Sequence, residues 1–360
     1  MPDCKECDSK SDVFGPCAAA VYYALVLLRP HPPMSKQVVV LPSRGLFEVN
    51  AADTLLEGAL RAGLALNYGC SNGNCGLCKA RVVSGKAEKI RQQDYVLSDA
   101  EKNQGYILLC SHTAAGDMEI EAAVANRAAD IQFQEIQARV KSVQPLTDKV
   151  WLLHLQTPRT NRLRFLAGQS VALAIADDSG SYAIASCPCD DRNLQFHVRN
   201  IPGDTFAQRV FNGLRSGDNV SVYGPAGEFV LPHEPVRPLL MLACNSGFAP
   251  IKSLVEHAFS LDITDAVHLY WLATVQGGHY MANWCRAWAD ALDNFHYHEL
   301  SAASLQEPNP EQVLAQVSAD HLDMAQFDVF VAGPALFVNA ARAALLQRGV
   351  PLTQLFSAIV

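Results

Sequence analysis

From residue 37 onward apolar and polar positions alternate with two different periods, and the change of period divides the chain. Residues 37–41 (Gln-Val-Val-Val-Leu) and 46–49 (Leu-Phe-Glu-Val) are short β runs around Pro42, Ser43, Arg44 and Gly45, which predicts a hairpin. Thr54 with Glu57 three residues on has the form of a capping box, and Leu55, Leu56, Leu60 and Leu64 share one face. A helix of about ten residues should follow. After Asp130 the runs 138–144, 150–156, 170–176, 194–199 and 219–223 read as strands punctuated by Gly and Pro, the texture of an antiparallel β-barrel. From Pro238 the rhythm becomes apolar strand then helix: 239–243 before 251–259, 266–272 before 280–292, and 327–332 before 336–348. That alternation predicts a doubly wound parallel sheet.

The pattern therefore divides the chain at 34–124, a linker at 125–135, then 136–233 and 234–360. Residues 1–33 match none of this. They carry Cys4, Cys7 and Cys17, an apolar run from Cys17 to Leu28, and a stop at Arg29-Pro30-His31-Pro32-Pro33 just before Met34. A poorly ordered tail, or an upstream extension of a domain that starts near Met34, is the expectation. Half a zinc knuckle lacks suitably spaced partners.

Composition agrees with several folded units. At 360 residues, 49% hydrophobic and 18% charged, the chain has apolar material for more than one core. Twenty-eight basic against thirty-six acidic residues leave a net charge of −8, so no positive field gathers nucleic acid or anionic lipid. The early apolar run is too short to span a bilayer, and Asp3, Glu6, Asp8 and Asp12 before it spoil a signal peptide. A cytoplasmic protein with no membrane span is expected.

Eleven cysteines, several at unequal short spacings, suit metal ligation better than a disulfide framework. Cys70, Cys75 and Cys78 stand in Gly-Cys-Ser-Asn-Gly-Asn-Cys-Gly-Leu-Cys, and Cys110 follows thirty-two residues later. This is the Cys-x4-Cys-x2-Cys…Cys spacing of plant-type 2Fe-2S ferredoxins. Four thiolates complete two tetrahedral irons, and Gly69, Gly73 and Gly76 allow the loop its tight turns. Four unrelated buried thiols are the plain alternative, but three cysteines within nine residues of Gly and Asn argue against it. Cys187, Cys189, Cys244 and Cys285 have no part in the cluster, and Cys187-Pro-Cys189 reads as incidental, with a redox pair as the lesser alternative.

A cluster carries one electron whereas nicotinamide delivers two, so a flavin is needed to divide the pair. In this order of parts, and most strongly from Leu66 to Gly85, the chain resembles the ferredoxin-NAD(P)H oxidoreductase family with an N-terminal plant-type ferredoxin, as in phenol or methane monooxygenase reductases and CDP-6-deoxyhexulose (glucoseen) reductases. The resemblance implies a β-grasp ferredoxin domain, an antiparallel β-barrel flavin domain and a doubly wound nucleotide domain. It implies bound 2Fe-2S, FAD and NADH, and a protein acceptor such as an oxygenase or dehydratase component.

Site residues follow from the same resemblance. Gly180-Ser181-Tyr182-Ala183 stands at the family's Arg-x-Tyr-Ser flavin motif, keeping the tyrosine and lacking the arginine and final serine. Gly203, Asp204 and Thr205 stand at the pyrophosphate turn, and Arg199 is a candidate source of positive charge. Gly224-Pro225-Ala226-Gly227-Glu228-Phe229 agrees with the end of the flavin barrel. In the last domain Gly247 and Pro250 match a phosphate-binding turn in which Asn245 replaces a glycine. Gly333 and Pro334 match a Cys-Gly-Pro-Pro motif whose cysteine is Ala332 here, and Leu272-Ala273-Thr274 offers no arginine to a 2′-phosphate, which favours NADH. Two readings follow: an NADH-dependent flavin and iron-sulfur reductase, or a degenerate reductase that serves as a ferredoxin-type carrier or docking subunit, with Gly180, Ala183, Asn245 and Ala332 as its signs.

Overall fold

The computed structural model describes residues 35–232, 237–261, 263, 265–274, 278–302 and 309–360; the N-terminal extension and its three cysteines lie outside these. The first sheet is built from β1 (Lys36–Leu41), β2 (Gly45–Val49), β3 (Lys79–Ser84), β5 (Tyr106–Leu108) and β7 (Met118–Glu121) in the order β2-β1-β7-β3-β5, while β4 (Ala87–Lys89) pairs with β6 (His112–Ala114). Val38 and Val40 alternate inward along β1 and meet Phe47, Val49, Leu55 and Leu56 in the core. Helix α1 (Leu55–Arg61) starts at the expected cap: Thr54 Oγ1 accepts from Glu57 N at 3.2 Å and the Glu57 carboxylate accepts from Thr54 N at 3.0 Å. It is shorter than expected because the chain turns at Gly63, whose φ of 75° ends the helical path. A second capping box, Ser98 with Glu101, opens the short α2 (Asp99–Asn103).

The middle sheet contains β8 (Gln134–Pro145), β9 (Val150–Gln156), β10 (Ser170–Ile175), β11 (Asp178–Ala183), β12 (Asn193–Arg199) and β13 (Asn219–Ala226). All neighbours are antiparallel in the order β11-β10-β13-β8-β9-β12. No ladder pairs the end strands β11 and β12, but just beyond β11 Ala185 N donates to Gln195 O of β12 at 2.8 Å, so the sheet curves round toward the expected barrel. Helix α3 (Thr205–Asn212) covers it, turning Phe206, Ala207 and Val210 into a core with Leu173, Ile184 and Phe196.

The third sheet is wholly parallel: β14 (Leu239–Cys244), β15 (Val267–Ala273), β16 (Phe295–Ser301), β17 (Asp328–Gly333) and β18 (Leu355–Ile359) in the order β16-β15-β14-β17-β18. Every residue of β14 is buried, as a central strand covered on both faces must be. Helices α4 (Phe248–Ser260) and α5 (Ala282–Ala291) pack one face around Met241, Leu269 and Trp271. Helices α6 (Glu311–Asp320) and α7 (Ala335–Gln347) pack the other around Leu240, Leu242 and Tyr270. The direction of connection reverses at β14, which opens a ligand crevice beyond the carboxyl ends of β14 and β17. Among the described residues no helix is long and apolar enough to cross a membrane.

Candidate functional site: a four-thiol cage, a flavin cleft and a nucleotide crevice

The cysteine loop runs from residue 69 into β3, and the pairing of Lys79 with Leu108 brings the turn after β5 alongside it. Leu109 N donates to Cys78 O at 3.0 Å, so Cys110 arrives beside Cys78 with their sulfurs 3.3 Å apart. Cys70 and Cys75 form the other pair: Cys70 N donates to Cys75 Sγ and Cys75 N to Cys70 Sγ, both at 3.3 Å. Asn74 N also donates to Cys70 Sγ at 3.4 Å, and Leu77 N to Cys75 Sγ at 3.5 Å. Two sulfur pairs wrapped in N–H groups are what two irons with two thiolates each require. The cage therefore fits a 2Fe-2S cluster.

Electrostatics of the thiols agree with this. The bond from Cys78, helped by Ser111, holds Cys110 down at about 6 although burial opposes it, while that bond and burial push Cys78 well up. Burial also opposes ionisation of Cys70, but the N–H groups of Asn72, Cys75 and Asn74 bring it below the ordinary thiol value. Gly76 has φ of 73°, and a Cβ there would lie 2.4 Å from the Tyr95 ring, so glycine is required on both counts. Cys70, Cys78 and Cys110 are buried, whereas Cys75 is exposed beside the half-exposed Leu77.

A polar seam binds this loop to the middle sheet. Arg162 N donates to Gly69 O at 2.9 Å and Ser71 N to Arg159 O at 3.2 Å. The Arg162 guanidinium reaches Ser71 Oγ and Thr157 Oγ1, each at 3.3 Å, and lies 3.5 Å from Asp191. Burial holds the Asp191 carboxyl up despite that cation; Tyr68, also pushed up by burial, hydrogen-bonds to it. None of Arg162, Asp191 and Thr157 is marked by sequence spacing. Their partners are distant in the chain.

At the flavin motif, Ser181 is exposed on β11, and Tyr182 and Ala183 are buried. The Tyr182 hydroxyl donates to Asp204 at 2.6 Å, and burial with that bond pushes it well up. The other oxygen of Asp204 accepts from Ala207 N at 2.8 Å, so this carboxylate caps α3. Thr205 Oγ1 accepts from Ser179 N at 3.3 Å, and Gly203 turns into the helix with φ of 91°. A Cβ at residue 180 would lie 2.8 Å from the Tyr182 hydroxyl, so the small residue is what lets the phenol cross to Asp204. Arg199 is felt by Cys244 and Tyr280, which sets it at the seam with the third sheet.

A cleft of about 430 Å³ lies between the end of the middle sheet and the C-terminal strand, lined by Ser170, Ala183, Gly227, Phe229, Arg342 and residues 355–360. Its size, its mix of small residues with Phe229 and Phe356, and the adjoining Tyr182 strand fit an isoalloxazine ring. The α3 end is built differently, with a carboxylate where a diphosphate would seek N–H groups and a cation.

In the third sheet the two turns at the crevice touch. A Cβ at Gly247 would lie 2.0 Å from Ala332 O, and one at Gly333 would lie 2.8 Å from Cys244 Cβ. Asn245, at φ of 49°, donates to Thr274 Oγ1 at 2.7 Å and accepts from Thr274 N at 3.0 Å. Its side chain is therefore spent on tying two strand ends together. Pro250 lies buried in the first turn of α4, and Pro334 precedes α7. The turns fit a dinucleotide, with α4 and α7 opening at the crevice. Helix α4 is also bonded to the flavin sheet, since Lys252 donates to Ala185 O at 3.0 Å and Ser253 to Ser186 O at 2.7 Å. His197 meets Tyr280 at 3.0 Å across the same seam.

Cys187 and Cys189, read from their spacing as incidental or as a redox pair, are joined in a disulfide. The 3-10 turn Pro188–Asp190 brings their Cα atoms to 5.2 Å, within reach of a bond.

Three family models match these three parts in order: a 2Fe-2S iron-sulfur cluster binding domain over residues 38–115, an oxidoreductase FAD-binding domain over 137–231 and an oxidoreductase NAD-binding domain over 241–343. The chain belongs to the ferredoxin-NAD(P)H reductase family with a 2Fe-2S domain. The reductase is 29% identical over 326 residues to a CDP-6-deoxy-L-threo-D-glycero-4-hexulose-3-dehydrase reductase of Yersinia pestis, covering 90% of this chain and 98% of that one. It is 28% identical to the reductase component of a propane 2-monooxygenase from Gordonia sp., covering 86% and 92%. Among solved structures, a cytochrome P450 reductase of Amycolatopsis matches this reductase with a TM-score of 0.57 and 25% identity, over 90% and 98% of the two chains.

Proposed function

We propose that this chain is an NADH-dependent reductase that passes electrons through FAD to a 2Fe-2S cluster and on to a protein acceptor, an oxygenase or dehydratase component. The observation that carries the reading is the four-thiol cage with its two sulfur pairs, bonded through Arg162 to a sheet that also borders the flavin cleft. When bound, FAD takes an electron pair from nicotinamide and gives it up one electron at a time, which the cluster relays.

The chain's own residues have separate tasks in this reading. Cys70, Cys75, Cys78 and Cys110 hold the irons. Ser181, Tyr182, Ala183, Arg199, Gly203 and Thr205 border the flavin, and Gly247, Pro250, Gly333 and Pro334 shape the nucleotide crevice. Buried aromatic and aliphatic side chains at the seam exclude water, and Lys252 with Ser253 keeps the two cofactor domains in register. The functional units are 34–124, 136–233 and 234–360 around a linker at 125–135, the middle one a flavin-type barrel, and the setting is the cytoplasm. Exposed Cys75 and Leu77 suit docking of a protein acceptor.

Anaerobically purified protein should contain iron, acid-labile sulfide and acid-releasable flavin, and NADH should bleach the cluster absorption. Absence of iron and sulfide would refute the cluster. A second reading, a ferredoxin-type carrier with flavin or nucleotide binding lost, draws on Asp204 at the start of α3 and on Ala332 without a thiol. Bleaching by dithionite alone, with no uptake of added FAD, would decide for it.

A further inference from the structure

Four of the eleven histidines meet far from the crevice turns, on the α6 and α7 side of the third sheet. His296 and His298 are two residues apart on the end strand β16 and so project to one face. The parallel register sets His268 of β15 beside His296 and Tyr270 beside His298. His321, the residue after α6, closes over them. Ring centroids are 4.6 Å apart for His268 and His296, and 4.5 Å for His268 and His321. Tyr270 stacks on His298 at 4.1 Å.

The surrounding polar groups are ordered as supports. The Tyr270 hydroxyl donates to Asp320 at 2.8 Å and lies 3.1 Å from His321 Nε2. Asp320 lies 3.7 Å from His298 Nδ1. His268 Nδ1 is buried without a hydrogen-bond partner. A stack of imidazoles can be mere packing, but packing alone leaves that nitrogen unsatisfied, at a desolvation cost that a ligand would remove.

We propose that His268, His296 and His298 form a site for a late first-row divalent cation, zinc by ligand chemistry, with Asp320 orienting His298 from behind. Imidazole nitrogens suit this ion class, and a carboxylate behind a ligating histidine is the usual means of fixing its ring. The rings stack in the present structure and do not converge on a point. All three nevertheless project from one face of adjoining strands, where spacings of about 4.8 Å across and about 6.6 Å along are short enough for rotated imidazoles to share an ion. Binding would pin the end strand β16 to β15.

The test uses the purified full-length holoprotein, titrated calorimetrically with zinc chloride in a non-chelating buffer, and zinc-edge X-ray absorption of the product. One zinc per chain with histidine nitrogen ligation is expected, weakened by at least about tenfold in H296Q/H298Q, with NADH-dependent reduction of the cluster unchanged. Both positions are partly or fully exposed, so the fold should survive, and circular dichroism checks this. No binding, equal binding by the variant, or sulfur in the zinc shell would each overturn the proposal.

Discussion

Replacing Arg162 with Met tests whether the seam beneath the cluster is an electrostatic latch or passive packing. The guanidinium is nearly buried, bonds to Ser71 and Thr157, and faces a carboxyl that is itself buried. Removing one member of a buried pair costs about 3–5 kcal/mol, because the other charge is left uncompensated. Asp191 already has a raised pKa, and loss of the cation raises it further. A carboxyl held above its unfolded value contributes stability that is full below about 3.9 and is lost as pH rises through the folded value. The variant's deficit should therefore be smallest at the acid end and grow as pH rises through the folded value. Urea unfolding followed by tryptophan fluorescence measures it, and R162M/D191N should recover part of the loss. A deficit below about 1 kcal/mol, or one that is flat with pH, would refute the argument. NADH-driven cluster reduction should slow in R162M while dithionite reduction does not, since only the first crosses the seam.

Gly76→Ala should abolish cluster assembly, because its Cβ would enter the Tyr95 ring at 2.4 Å; iron content after purification checks this. Asp204→Ser keeps a cap for Ala207 N while removing a negative charge from the start of α3, so FAD should bind the apoprotein about tenfold more tightly, read by quenching of flavin fluorescence. Equal or weaker binding would place the diphosphate elsewhere. Buried His197 and His257, held down at about 3 and about 4 by burial, are uncharged in the folded protein. Depressed values mean that stability is full above about pH 6.5 and falls toward acid, by up to about 1.4 kcal/mol per pH unit for each. His197→Phe should reduce that slope in urea denaturation between pH 6.5 and 4.5, and an unchanged slope counts against the assignment.

Local signals were the legible ones. The Thr54 capping box, the β1–β2 hairpin and the strand-helix alternation after Pro238 each depend on neighbours within a few residues, and each is present. Cys110 was legible by chemistry alone, its position beside Cys78 being the work of β3–β5 pairing. Strands β16 and β18 were missed, the first because histidines interrupt its apolar alternation, the second because five terminal residues carry little pattern. Arg162 with Asp191 and Tyr182 with Asp204 were missed as pairs, since a buried contact between distant positions leaves no period. How far the middle sheet closes was not legible for a related reason: strand count says nothing about how the end strands β11 and β12 meet.

Three of the four cage sulfurs lie beneath protein and one faces water. A reduced iron held by Cys75 would be open to dioxygen on that side, which would take the electron and leave as superoxide. A partner seated on Leu77 would close this leak while accepting the current, so the resting protein should oxidise itself faster alone than when engaged. Association would then be a form of protection as well as a route.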